Sequence, residues 1–130
     1  MYNYNETVEF EDVDSYGIAH HTKIISYLER ARVHFFLENG IDIKSFEYGL
    51  VLTGMNIQFK RPLFMMDNFI VQVSVIKLEK YRFVWEYKII KSDKICITAN
   101  IEQVIIDLAT KKIVQIPDSV KTLLLKIFIP

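Results

Sequence analysis

Residues 22–39, TKIISYLERARVHFFLEN, carry one long helical period, whereas almost everything from 51 to 106 reads as strand. Ile24, Leu28, Ala31 and Phe35 recur three or four residues apart, and Ile25 and Phe36 widen the stripe. That spacing predicts a single long helix, buried over much of its surface. Thr22 is its candidate N-cap, and Gly40 stands where a left-handed residue would end it. Upstream, Val8 and Phe10 alternate with Glu9 and Glu11, which predicts a strand over 6–11.

After a loop around 41–49, residues 51–60 form a strand-like run closed by Pro62, which cannot donate to a ladder. Phe69, Val71, Val73 and Val75 alternate with polar Gln72 and Ser74; Phe83, Trp85, Tyr87 and Ile89 alternate with Arg82, Glu86 and Lys88. Alternation of this kind belongs to antiparallel sheets. Ser92-Asp93-Lys94 is a hairpin turn into a strand over 95–106, and Asp107 to Lys112 turns again before Val114. Pro117 suits the first position of a short terminal helix bearing Val120, Leu123, Leu124 and Ile127. One helix followed by consecutive strands requires an α+β fold, with five or six strands in an antiparallel sheet and the helix packed on one face. Val84, Ile90, Val104 and Ile106 fall on the other strand face, so a second copy is expected to cover it.

The chain of 130 residues is expected to form one domain over 1–130, since 51% apolar content suffices for a core without staples. Sixteen basic and sixteen acidic residues cancel, so no overall field draws nucleic acid or an anionic membrane, and no helix-turn-helix segment accompanies the domain. Cys96, the single cysteine, lies in an apolar run and reads as a buried inert thiol suited to a reducing compartment. The start MYNYNETVEF has neither a basic nor an apolar segment, and no run approaches a membrane span. A soluble, unprocessed, cytoplasmic chain is the expectation.

Chemistry concentrates in DVDSYGIAHH, residues 12–21. Ser15-Tyr16-Gly17 reads as a bend, with Gly17 in a backbone conformation that other residues resist. Ile18 to His21 lead to the helix start, where unpaired amides favour negative charge. A carboxylate beside preorganised N–H donors is what acyl transfer needs. Asp12 and Asp14 are equally readable as turn acids that bond local amides. Asp-x-Asp with His20 and His21 also admits a metal cluster, although adjacent histidines rarely converge on one ion. His34 reads as a partly exposed structural residue, and Glu29 with Arg32 or Arg30 as a partly buried ion pair.

The stretch VEFEDVDSYGIAHH with the following ISYLERAR resembles the signature of hotdog-fold acyl-CoA thioesterases of the 4-hydroxybenzoyl-CoA thioesterase type, especially the branch associated with the Tol–Pal system. The matched motif spans Val8 to Arg32; the remainder matches by layout, including Arg61-Pro62, Asp67 and an Ile-Pro before the terminal helix. The resemblance implies a long helix wrapped by a curved sheet, subunits that pair by joining sheets, and dimers that associate into tetramers. It implies that Asp14 is the catalytic carboxylate, acting as nucleophile or as general base for water. Gly17 matches the turn glycine, and His21 and Thr22 lie where backbone amides polarise the thioester carbonyl. His21 also matches the histidine that orients carboxylate or water in that branch.

Met55, Asn56 and Ile57 are candidates to line the pocket by order along the chain, and Lys60, Arg61 and Lys80 to meet coenzyme phosphates, with solvated strand ends as the plain alternative. The branch carries Tyr-His-x-Asn-Tyr where this chain has His20-His21-Thr22-Lys23-Ile24. The implied activity is hydrolysis of an acyl thioester on coenzyme A or an acyl-carrier protein, by a homodimer or homotetramer without metal or resident cofactor. Two other readings are an acyl-thioester binding module that does not turn over its ligand, and a hotdog hydroxyacyl dehydratase. The glycine- and proline-bearing histidine motif of the dehydratases is absent from the sequence.

Overall fold

A computed structural model describes residues 1–130. Six strands form one antiparallel sheet: β1 (Tyr2–Thr7), β2 (Tyr48–Phe59), β3 (Asn68–Leu78), β4 (Arg82–Lys91), β5 (Lys94–Asp107) and β6 (Ile113–Val114). The sheet order is β1-β3-β4-β5-β2, with the short β6 paired to β5 where β4 has run out. The β4–β5 hairpin closes through Ser92 and Asp93, both at positive φ (50° and 63°), the geometry that matches strand twist in a two-residue turn.

The long helix α1 (His21–Glu38) turns Ile24, Tyr27, Leu28, Ala31, Arg32, Phe35 and Phe36 inward. Against it stand the buried alternate residues of the central strands: Val71, Val73 and Val75 on β3, Phe83, Trp85, Tyr87 and Ile89 on β4, and Ile97, Ile101 and Ile105 on β5. These join a core of 27 buried apolar residues. Trp85 sits near its centre, edge-on to Phe35 and Phe36 at 6.1 and 5.7 Å between ring centroids. A short helix α2 (Asp118–Leu125) adds Val120, Leu123 and Leu124, and residues 127–129 clip onto Val75 through Val75 N–H to Ile127 O and Ile129 N–H to Val75 O. This is the hotdog arrangement of a long helix held by an antiparallel sheet.

Four local expectations are corrected. The first strand is Tyr2–Thr7, not 6–11; its partner β3 begins at Asn68, so the ladder runs out at Thr7. The chain then turns through a 3₁₀ segment at Phe10–Asp12, because the Asp12 carboxylate accepts the Glu9 N–H at 3.0 Å, and Phe10 is left 79% exposed. The N-cap of α1 is His20, not Thr22: its ring Nδ1 faces the Thr22 N–H at 3.3 Å and the Thr22 hydroxyl at 2.8 Å. Pro117 is the cap before α2, one position ahead of the first helical residue. Glu29 pairs with neither arginine: Arg30 reaches Glu6 on β1 at 2.6 Å, and Arg32 faces the sheet, where it meets the Tyr87 hydroxyl at 3.4 Å. Gly40 takes the left-handed conformation (φ 87°), Cys96 is buried, and His34 stacks on Tyr4 at 4.7 Å.

Candidate active site

The turn from Val13 to Ala19 is closed by an antiparallel bridge between those two residues. Within it the Asp14 N–H donates to Ile18 O at 2.8 Å, and the Gly17 N–H donates to Asp14 O at 3.0 Å. Gly17 has φ 76°, and nothing lies within 4 Å of the point a Cβ would occupy, so backbone conformation rather than crowding selects glycine. One carboxylate oxygen of Asp14, Oδ1, accepts the amides of Tyr16 at 2.8 Å and Ile18 at 3.1 Å. Its Oδ2 accepts nothing from the protein, and the side chain is half-exposed. One oxygen thus fixes the orientation of the carboxylate, and the other is open.

The helix start is fastened to the same turn. The His20 N–H donates to Asp12 O at 2.8 Å, and the Ala19 N–H donates to Leu63 O at 2.8 Å. The Lys23 and Ile24 amides return to His20 O, and the Thr22 amide is taken by the His20 ring. Of the first helical amides, that of His21 has no acceptor in the protein. Free N–H groups at a helix start stabilise a developing oxyanion. The His20 and His21 rings lie against each other at 4.2 Å.

Sequence reasoning undervalued Asp12. It is 6% exposed, and its Oδ2 accepts the Tyr27 hydroxyl at 2.8 Å. Burial, then this bond to Asp12, push the Tyr27 phenol well above its usual range, so it remains a donor. The signal was present in the helix: Tyr27 lies on the buried stripe, and a buried tyrosine hydroxyl needs a partner. With the Asp12 carboxylate directed inward, no group of three His, Cys, Asp or Glu side chains comes together at this turn.

The loop between β2 and β3 forms the other wall. Ile18 bridges to Phe64, and the Met65 N–H donates to Gly17 O at 3.3 Å. Arg61, Phe64, Lys91 and Lys94 border a groove of about 340 Å³ beside it. Lys91 is 2.8 Å from Asp67 and its ammonium lies 5.3 Å from the Phe64 ring centre. Burial raises the Asp67 pKa, but the bonds from Lys91 and from the Phe64 N–H outweigh it and hold the carboxyl below its ordinary value. Lys60 and Arg61 are exposed, their amides both donating to Cys96 O at 2.8 and 3.0 Å.

Lys80 lies at the β3–β4 turn, beyond the far end of β4, which at ten residues is about 33 Å long. The structure therefore does not bring it to Arg61. Cross-strand pairing sets Met55 opposite Ile101 and Ile57 opposite Ala99 on the helix side, whereas Asn56 lies opposite Asn100 on the outer face.

The profile of the thioesterase-like superfamily matches residues 8–124. A protein of Aquifex aeolicus provisionally named an esterase is 32% identical over 120 residues, covering 90% of this chain and 92% of the relative. A 1,4-dihydroxy-2-naphthoyl-CoA hydrolase of Microcystis aeruginosa is 28% identical over 122 residues, covering 91% and 88%. The solved structure of a gentisyl-coenzyme A thioesterase superposes with a TM-score of 0.86 over 94% of this chain and 98% of that one, at 24% identity. Fold and family define a thioester hydrolase of hotdog architecture. The chain belongs to the thioesterase-like superfamily.

Proposed function

We propose that residues 1–130 act as one hotdog domain that hydrolyses an acyl thioester, carried on coenzyme A or an acyl-carrier protein, to free acid and thiol at Asp14. The observation that carries the reading is the divided Asp14 carboxylate, with Oδ1 held by two turn amides and Oδ2 free. Either Oδ2 attacks the carbonyl, giving an anhydride and releasing the thiolate before water cleaves the anhydride, or it takes a proton from the water that attacks. Of the two amides at the start of α1, that of His21, which has no protein acceptor, polarises the carbonyl oxygen, whereas that of Thr22 is held by the His20 ring. Gly17 holds the turn. Met55 and Ile57, on the helix side of β2, contribute to the substrate groove, whereas Asn56 faces away from it, and Lys60 and Arg61 meet the phosphates of the carrier. The reaction uses no metal and no resident cofactor. The enzyme works in the cytoplasm as a homodimer that assembles into a homotetramer.

Asp14→Asn tests the assignment most cleanly, because an amide oxygen can still accept from Tyr16 and Ile18 while the charge is lost. It is expected to keep the melting temperature of the parent and lose about 100-fold or more in kcat on acyl-CoA and acyl-carrier substrates. Full activity in the purified variant would sink the role of Asp14. Tight binding by the parent without turnover would instead mark a binding module.

A further inference from the structure

His20 is the last residue before α1, and both its backbone and its ring are engaged there. Its N–H donates to Asp12 O at 2.8 Å, and its carbonyl accepts the Lys23 and Ile24 amides at 2.9 and 3.1 Å. The ring Nδ1 lies 3.3 Å from the Thr22 amide nitrogen and 2.8 Å from the Thr22 hydroxyl. An amide nitrogen only donates, so Nδ1 is the acceptor, the hydroxyl donates to it as well, and the ring proton sits on Nε2.

These bonds decide where the free amide of the helix start points. The His21 N–H and the His20 C=O belong to a single planar trans peptide, so they face opposite ways. Two helical amides hold the C=O along α1, and the N–H is thereby directed out of the helix end. The freedom left to that peptide is rotation about the His20 Cα–C bond, here at ψ 143°. The ring spans that bond, because Nδ1 belongs to the His20 side chain and its donor lies two residues along the helix.

Only the uncharged ring can hold this geometry. A proton on Nδ1 leaves the Thr22 N–H without its acceptor and adds positive charge where helix-start amides already carry it. The ring is exposed, so solvent protons reach it. No ionised partner opposes or stabilises that charge, since the ion pairs of the chain engage neither His20 nor His21. In the turn, Asp12 keeps its carboxylate on Tyr27 and the Glu9 amide, and Asp14 keeps Oδ1 on Tyr16 and Ile18. Leu63, which reaches Ala19 from the β2–β3 loop, is apolar. On α1 the neighbours are the His21 ring at 4.2 Å and Lys23, the first charged residue of the helix.

Resting on the hydrolase reading above, we propose that His20 is a positioning residue of this site: its uncharged ring fixes the peptide that presents the His21 N–H to the thioester carbonyl, and turnover weakens in acid as the ring is protonated. An asparagine cap would hold the same amide without that dependence.

The test measures kcat and KM from about pH 5.5 to about pH 8 on whichever of acetyl-CoA, benzoyl-CoA and palmitoyl-CoA the parent hydrolyses fastest. At the upper end, His20→Phe, which keeps a ring but no acceptor, is expected to lower kcat about fivefold or more with KM within about twofold. His20→Asn, whose side-chain oxygen can take the Thr22 amide, is expected to recover most of that loss. The fall in kcat from the upper to the lower end is expected to be about fivefold or more greater in the parent than in His20→Asn. Nitrogen chemical shifts of the His20 ring at about pH 8 are expected to show the Nε2–H form. Should His20→Phe fail to fold, His20→Ala gives the same comparison. Parent and His20→Asn profiles of the same shape, an undiminished kcat in the folded Phe or Ala variant, or a neutral ring with its proton on Nδ1 would each overturn the proposal while leaving the hydrolase reading intact. No turnover of any of the three acyl groups, on coenzyme A or on a carrier protein, would overturn the hydrolase reading and the proposal with it.

Discussion

Asp12 and Asp14 stand two residues apart, yet the backbone sends them to opposite environments. Asp12 turns into the core to accept from Tyr27 and from the Glu9 amide, and Asp14 stays at the surface with one free oxygen. Asp12 is therefore a positioning residue that pins the turn to α1. Asp12→Ala leaves a buried phenol and an amide without acceptors, at a cost of about 2 kcal/mol in unfolding free energy. In the Tyr27→Phe background the same substitution should cost less, because the phenol is already gone. Equal costs in both backgrounds, measured by denaturant titration, would show that the two groups do not act together. Nothing in D-x-D spacing distinguishes the two acids, since the partner that separates them lies fifteen residues downstream. The helical period does carry the clue, placing both Tyr27 and Arg32 on the stripe of Leu28, Ala31 and Phe35. A polar group on such a stripe has to find a partner or a ligand.

At the scale of elements, the sequence reads best where burial is one-sided and periodic. The α1 stripe and the alternation on β3, β4 and β5 follow directly from which face meets the core. β1 escaped because its sequence, Tyr-Asn-Tyr-Asn-Glu-Thr, is polar, and its strand character comes from pairing with β3. The β2–β3 loop escaped for a related reason. Its shape is set by Asp67, which accepts the Phe64 amide at 2.7 Å and pairs with Lys91 on β4, a tertiary contact.

That contact predicts an acid dependence. Asp67 in the folded chain gives up its proton at lower pH than in the unfolded chain, so its stabilising effect is complete above the ordinary carboxylate range and is lost as pH falls through the lowered folded value. Asp67→Asn should flatten that part of the stability-against-pH curve below about pH 4. An unchanged acid limb in circular dichroism melts would mean that the pair does not hold the loop.

At the scale of the whole molecule, the exposed side of β2 is the feature a lone chain cannot account for. It is an edge strand of twelve residues with Val51, Leu52, Met55 and Phe59 each more than a third exposed. An uncovered apolar edge of that length invites pairing with another chain. On the outer sheet face, Val84, Ile90, Val104 and Ile106 are half-buried in the single chain, which provides a second apolar surface for dimers to meet. If the edge joins two copies, lysines at Leu52 and Met55 should block pairing by like-charge repulsion across the two-fold axis, where each meets its counterpart or near neighbour. Light scattering should then give the mass of one 15.3 kDa chain for Leu52→Lys/Met55→Lys and a multiple of it for the parent. A double variant that remains oligomeric would move the interface away from β2, and a monomer that retains full activity would confine the site to one chain.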